Sequence, residues 1–183
     1  MGAEYTKTSP VGIDVPIQKL QIKLYAYLSA LWSTANYKSY GRVYVNDVAD
    51  KSTPMVHVSG NNYHDVLPDK KYSAMSFMFV SDNVPVNGRM YAANVSLIFF
   101  GNLTSLKPTK THRADEEVRN DILVLLEKEP YGFKLIDYVT GINATLSDFN
   151  IDGNTLLGSD LQPNNVARFD LELIYNNYKP STC

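Results

Sequence analysis

Near its carboxyl end the chain reads Arg168-Phe169-Asp170-Leu171-Glu172-Leu173-Ile174-Tyr175. Neighbouring side chains of a strand point to opposite faces, so this alternation separates an apolar face from a charged one. The apolar face carries Phe169, Leu171, Leu173 and Tyr175, and the charged face carries Arg168, Asp170 and Glu172. The stretch therefore predicts a half-buried strand that completes a sheet.

Four earlier segments show the same two-residue period or a run of strand-forming residues. They are Tyr40–Val45, Met55–Val58, Tyr72–Ser81 and Arg89–Phe100. Asn87-Gly88 separates the last two and predicts a hairpin. Both arms of the hairpin become apolar on both faces, which predicts a central position with a covering layer on each side. A further strand follows Gly132, with Leu135 and Val139 on one face and Ile136 and Tyr138 on the other.

Two segments have the three- and four-residue spacing of amphipathic helices. The first runs from Asp14 to Trp32, where Asp14 can cap the helix and Pro16 fits its first turn. The second begins with acids at Asp115 and is stopped by Pro130. The order predicts an α+β fold in which two helices pack on a mainly antiparallel sheet, with long loops at residues 48–71 and 141–165.

The length of 183 residues, of which 44% are hydrophobic, suits one domain with a substantial core. We expect a flexible amino-terminal arm at residues 1–13, a single α+β domain at 14–178 and a short tail at 179–183. The net charge of −2 and the scattered basic residues argue against direct DNA recognition. No apolar run is long enough to span a bilayer, so no membrane association is predicted.

Catalytic motifs are missing from the sequence. His57, His64 and His112 are the only histidines, and none belongs to a metal-spaced pair. There is no nucleophile elbow and no phosphate-binding glycine motif. The sequence therefore predicts a protein that is not an enzyme, with no cofactor and no catalytic residues.

One segment resembles the opening of a calcium-binding loop, with oxygen ligands at Asp148, Asn150 and Asp152 before Gly153. Position twelve of such a loop should carry a bidentate carboxylate, but Ser159 occupies it. An Asn- and Asp-rich turn explains the same residues. A calcium- or carbohydrate-binding module, which Tyr- and Asn-rich loops would also suit, is the alternative function.

A family resemblance adds to these patterns. The amphipathic helix at Val15-Pro16-Ile17-Gln18-Lys19-Leu20, the hairpin ending in Leu97-Ile98-Phe99-Phe100-Gly101, the acidic-start helix 114–127 and the closing strand together resemble the tail-terminator and neck-ring proteins of tailed bacteriophages. The neck rings of crAss-like phages are particularly similar in style. The resemblance extends over residues 14–175.

This resemblance implies a virion structural protein that forms a homo-oligomeric ring at the head–tail junction. Its partners would be other neck, portal or tail proteins, and it would surround packaged DNA without sequence-specific binding. A ring needs contact surfaces, and the expected candidates are Tyr63, Tyr131, Arg168, Asp170 and Glu172. The protein would assemble in the host cytoplasm and reside in the virion neck.

Overall fold

The computed structural model describes residues 3–48, 51–67, 72–110, 114–151 and 163–177. Its helices are α1 (Asp14–Leu31), α2 (Leu103–Leu106), α3 (Asp115–Leu126) and α4 (Ile142–Thr145). Its strands are β1 (Tyr37–Val48), β2 (Lys51–Ser59), β3 (Asn62–Asp65), β4 (Ala74–Asn87), β5 (Met90–Asn102), β6 (Phe133–Thr140) and β7 (Asn164–Asn176). A short 3-10 turn, Pro130–Gly132, precedes β6.

The described strands form one seven-stranded sheet in the order β3-β2-β1-β4-β5-β7-β6. Every neighbouring pair is antiparallel except β1 and β4, which run parallel. The hairpin β4–β5 turns at Gly88, whose φ of +55° suits glycine in a tight turn. The α+β class and the mainly antiparallel sheet predicted from the sequence are confirmed.

The two long helices, α1 and α3, pack on one face of the sheet, which we call the helix face. The apolar side of the closing strand β7 lies in this core, as predicted, together with the buried side of α1. Trp32 at the end of α1 donates its Nε1–H to Asp121 of α3 at 2.7 Å, and Lys107 reaches the same carboxylate oxygen. The two helices are therefore tied to each other as well as to the sheet.

The other face, which we call the opposite face, is covered over part of its area. Met75, Phe77 and Ile98 of the central strands lie there in a second apolar cluster. The cover comes from short segments rather than from a long helix, and consists of Tyr5, Val66, Leu67, Leu146 and Phe149. The predicted covering layer on each side of the central hairpin is thus confirmed for the part of the hairpin that lies away from its turn, near Phe79 and Phe100.

The start of α1 differs from the sequence prediction. Ile13 occupies the cap position without a side-chain hydrogen bond, and Asp14 lies in the first turn. The carboxylate of Asp14 accepts a bond from Lys7 Nζ at 2.7 Å instead of capping the helix. Asp14 therefore fastens the amino-terminal segment to α1.

The amino-terminal arm was expected to be free, but its described residues 3–13 are docked. Glu4 pairs with β1 as a short parallel bridge at Tyr40, and its N–H donates to Ser39 O at 2.9 Å. Gln21 of α1 donates from Nε2 to both Glu4 O and Ser39 O, at 2.7 and 2.8 Å. Strand β2 pairs with β1 only from Val43 onward, and the arm lies beside β1 before that point, at Tyr40.

The long loop expected at residues 48–71, in which the sequence predicted only the short strand Met55–Val58, is mostly a hairpin, and the predicted strand is confirmed as part of β2. Strands β2 and β3 occupy much of it, and His64, expected in a loop, lies in β3. The loop expected at 141–165 contains the short helix α4 and the beginning of β7, while residues 152–162 lie outside the described part. Strand β3 is polar and exposed throughout, so no hydrophobic alternation indicated it.

The facing of β6 also differs from the prediction. Its register with β7 shifts between Leu135 and Asp137, which places a bulge at Ile136. Because the bulge interrupts the alternation, Leu135 and Tyr138 both pack against the helix-face core, and Ile136 is exposed. Strict alternation predicted that Tyr138 and Leu135 lie on different faces of β6, and that prediction was wrong.

Candidate interaction surface

As far as the described residues show, an apolar surface is uncovered on the half of the opposite face that lies toward the β4–β5 turn. Val84 of β4 pairs with Ala92 of β5, and Ala92 pairs with Ile174 of β7, so these three side chains form one row across the sheet. Their sequence neighbours Tyr91 and Tyr175 pack on the helix face, which confirms the direction of the row. The apolar surface formed by Val84, Met90, Ala92 and Ile174 is called the distal patch.

The large side chains of the distal patch are open to solvent. Val84, Met90 and Ile174 are 46%, 45% and 47% exposed. The apolar cluster on the opposite face, as far as the described residues form it, contains none of the residues of the distal patch. Contiguous exposed apolar side chains on a sheet face are typical of an interaction site.

A polar row runs beside the distal patch. Asp82, Asn94, Glu172 and Lys134 follow one another across β4, β5, β7 and β6 in the register. Glu172, one of the predicted interface residues, is therefore next to the bare surface and partly exposed. The row gives the apolar surface a charged border, with two acids on β4 and β7 and a lysine at the sheet edge.

Arg168 and Asp170, two other predicted interface residues, are engaged within the chain. Arg168 donates from Nε to Asp170 at 2.6 Å and from Nη1 to Asp148 at 2.7 Å. Asp170 also accepts a bond from the buried Ser96 at 2.8 Å. These charges hold the segment after α4 against β7. Their contact with another subunit stays a prediction.

The calcium candidate shares this network. The carboxylate of Asp148 is neutralised by Arg168, and Asn150 O accepts a backbone bond from Ser52 at 2.9 Å. Asp152 lies outside the described residues. Within the described part of the chain, no group of three or more potential metal-ligating side chains is assembled.

The two tyrosines among the predicted interface residues lie in separate places. Tyr63 is on the edge strand β3, with its ring centroid 5.3 Å from that of His57. Tyr131 lies beside α1, where Lys23 Nζ is 5.5 Å from its ring centroid and Lys19 Nζ is 5.9 Å away. The structure therefore does not bring the five predicted residues together into one site.

The outer side of α1 forms a second exposed surface. Its solvent-facing residues are Lys19, Ile22, Lys23, Ala26 and Ala30, and we call the surface that they form the helix patch. Lys23, Ala26 and Ala30, with their neighbours Tyr27 and Leu31, line a shallow groove of about 580 Å³. This surface combines two cations with small and branched apolar side chains.

A polar cavity of about 400 Å³ lies between the start of α3, the end of β6 and the start of β7. Its charged and aromatic lining includes Glu116, Arg119 and Tyr138. Arg119 donates to Glu116, and its guanidinium carbon is 5.4 Å from the Tyr138 ring centroid. Burial raises the pKa of Tyr138, while the positive charge of Arg119 lowers it. One terminal guanidinium nitrogen of Arg119 is thus bonded to Glu116, whereas its buried Nε has no hydrogen-bond partner among the described residues.

Sequence reasoning missed the distal patch, although two signals mark it. Ile174 is apolar at a position where the alternation of β7 calls for a polar residue. Val84 and Val86 flank a proline just before the Asn87-Gly88 turn, where a solvent-exposed hairpin end would carry polar residues. Each signal concerns one strand, and only the register of the sheet joins them.

The comparisons with known proteins give no relative to argue from. No protein-family model, no curated protein and no solved structure matches the chain. Among the described residues, no helix is both long enough and apolar enough to cross a membrane. A function can therefore be proposed only from the sequence patterns and from the surfaces of the molecule.

Proposed function

We propose that the protein is a virion structural protein that forms a ring at the head–tail junction of a tailed bacteriophage. In this role it joins the portal or head to the tail and keeps the DNA channel continuous. It acts through assembly rather than catalysis and needs no cofactor. Its contact with packaged DNA is independent of sequence, which suits a net charge of −2 and the scattered basic residues.

The observation that carries the proposal is the distal patch. Three large apolar side chains, those of Val84, Met90 and Ile174, face solvent on one half of a sheet. Covering such a surface with a partner removes apolar area from water, which favours association. A subunit of a permanent assembly requires a surface of this kind.

The resemblance in element order supports the specific place in the virion. The chain places helix α1, the central hairpin β4–β5, the acidic-start helix α3 and the closing strand β7 in this order. The order resembles that of tail-terminator and neck-ring proteins. The packed elements carry the fold, and the hairpin end and the outer side of α1 are left for contacts between subunits.

Particle size tests this proposal. Light scattering of the full chain, with negative-stain microscopy of the same sample, should show closed rings whose mass is a multiple of the 20.5 kDa subunit. Adding the neighbouring neck and portal proteins of the same phage should place the ring between them. A protein that stays monomeric at high concentration and with those partners would contradict the proposal.

A further inference from the structure

The distal patch and the helix patch lie on opposite sides of the molecule. The helix α1 packs on the helix face through its buried side, which includes Leu20 and Leu24, so its outer side points away from the sheet. Ala92 and Ile174 of the distal patch point out from the opposite face of the same sheet. One chain therefore presents two different exposed surfaces in opposite directions.

We propose that the helix patch of one copy packs on the distal patch of the next copy, so that the subunits join head to tail. This inference rests on the proposed ring and names the surfaces that form it. A head-to-tail contact uses two different patches on each chain, and it closes into a ring when the rotation between subunits allows. Patches on opposite sides of a subunit provide this arrangement, whereas a two-fold dimer would use one patch twice.

Shape favours this pairing. A sheet buries an apolar face by packing a helix on it, as α1 and α3 already do on the helix face of this sheet. The helix patch presents Ala26 and Ala30, whose short side chains let the helix approach the sheet closely. Ile22 beside them supplies a large apolar group, and the row of Val84, Ala92 and Ile174 supplies its partners.

Charge also favours it. The helix patch carries Lys19 and Lys23, and the only acid in α1 is Asp14, which bonds to Lys7. Among the described residues, neither Lys19 nor Lys23 makes an ion pair, although both approach the Tyr131 ring. The polar row that borders the distal patch carries two acids, Asp82 on β4 and Glu172 on β7, and one base, Lys134 on the edge strand β6. Opposite charges at the border of an apolar contact select the partner and its orientation.

Crosslinking between single-cysteine variants tests the pairing in the full chain. The natural cysteine, Cys183, is first changed to serine. One protein then carries Ala26→Cys on the helix patch, and another carries Ile174→Cys on the distal patch. After the two are mixed and allowed to exchange subunits, a short bis-maleimide should join them into a mixed dimer, while each alone should give at most a trace of dimer.

Matched variants guard against failure to fold. Ala30→Cys and Val84→Cys replace the first pair if either variant loses the wild-type melting temperature. Val58→Cys, an exposed valine on β2 outside both patches, should crosslink to Ala26→Cys at least tenfold less than Ile174→Cys does. Equal crosslinking of the two would overturn the proposed pairing.

The outcomes separate this inference from the proposed function. Rings without the mixed crosslink would overturn the pairing and leave the ring intact. Self-crosslinking of Ile174→Cys at the level expected for the mixture would show a two-fold contact through the distal patch and overturn the pairing as well. A monomeric wild-type protein would overturn both proposals.

Discussion

Arg168 on the closing strand β7 donates from Nη1 to Asp148 Oδ2 at 2.7 Å, across 20 residues of sequence. This contact holds the segment after α4 over the apolar cluster that contains Phe77 and Phe149. The charged side of β7 therefore has two roles along its length. Near Arg168 it fixes a covering segment, and near Ile174 it is exposed.

Replacing Arg168 with alanine should destabilise the fold. The change removes bonds to Asp148 and Asp170, whose side chains are largely shielded from solvent, and leaves two carboxylates close to each other. We expect a loss of about 2 kcal/mol in the free energy of unfolding, measured by urea denaturation. Lys134→Ala, on the exposed edge strand, is the control and should change it by less than about 0.5 kcal/mol. Equal effects would show that the Arg168 contacts contribute nothing.

Calcium should leave the melting temperature unchanged. The carboxylate of Asp148, the first ligand of the candidate loop, already forms an ion pair with Arg168. A cation would have to displace this pair. Calorimetric titration of the full chain with calcium should give no binding heat. A calcium-dependent rise in melting temperature that Asp148→Asn abolishes would contradict the prediction.

Two glycines with left-handed backbones should differ in their tolerance of alanine. A Cβ at Gly132, where φ is +87°, would lie 2.7 Å from the backbone oxygen of Ile174, whereas a Cβ at Gly88, where φ is +55°, would meet nothing within 4 Å. Gly88→Ala should cost about 1 kcal/mol from backbone strain alone. Gly132→Ala should cost roughly 2 kcal/mol more because a backbone atom must move.

The comparison uses the unfolding free energies of both variants, so the part of the backbone strain that is common to φ values of +55° and +87° cancels. The remainder combines the close approach of the turn before β6 to the end of β7 with the greater strain of alanine at +87°. If the two variants lose equal stability, the close approach between Gly132 and Ile174 is not present in solution.

Alkaline pH should weaken the fold through Tyr37. Burial raises the pKa of its hydroxyl from 10.0 to about 12, although the bonds to Ser76 and Ser39 act in the opposite direction. Because the folded-state pKa is the higher one, the contribution to stability is complete below pH 10 and is lost as the pH rises through about 12. A difference of two units corresponds to roughly 3 kcal/mol.

Urea denaturation at several pH values across this window tests the effect. Tyr37→Phe cannot ionise, so its stability should fall less steeply between pH 10 and 12 than that of the wild type. Tyr63→Phe, at an exposed tyrosine, should follow the wild-type curve. Parallel curves for the wild type and Tyr37→Phe would contradict the assignment.

The sequence predicted the elements whose patterns are local. The alternation in β7 and the Asn87-Gly88 turn specify a strand and a hairpin without reference to the rest of the chain. The features it missed depend on distant contacts. The amino-terminal arm is held by backbone groups of Ser39 and by Gln21. Hydrogen bonds to the backbone do not produce a periodic pattern of apolar side chains, so the sequence does not predict them.

The errors at β6 and at the surface have a similar cause. A bulge at Ile136 moves Tyr138 to the other face. An isoleucine at this position does not predict a bulge. The distal patch exists only because the register aligns Val84, Ala92 and Ile174 from three strands. A single strand contributes at most two of its members, so the patch becomes visible only in the assembled sheet.

The central claim is that the bare end of the sheet is an assembly surface. Light scattering of the wild type beside Val84→Asp and Val58→Asp tests it most directly, since these two strand valines are 46% and 38% exposed and only Val84 lies in the distal patch. We predict closed rings for the wild type and Val58→Asp, and folded monomers for Val84→Asp. Rings of undiminished stability in Val84→Asp, or a monomeric wild type, would contradict the claim.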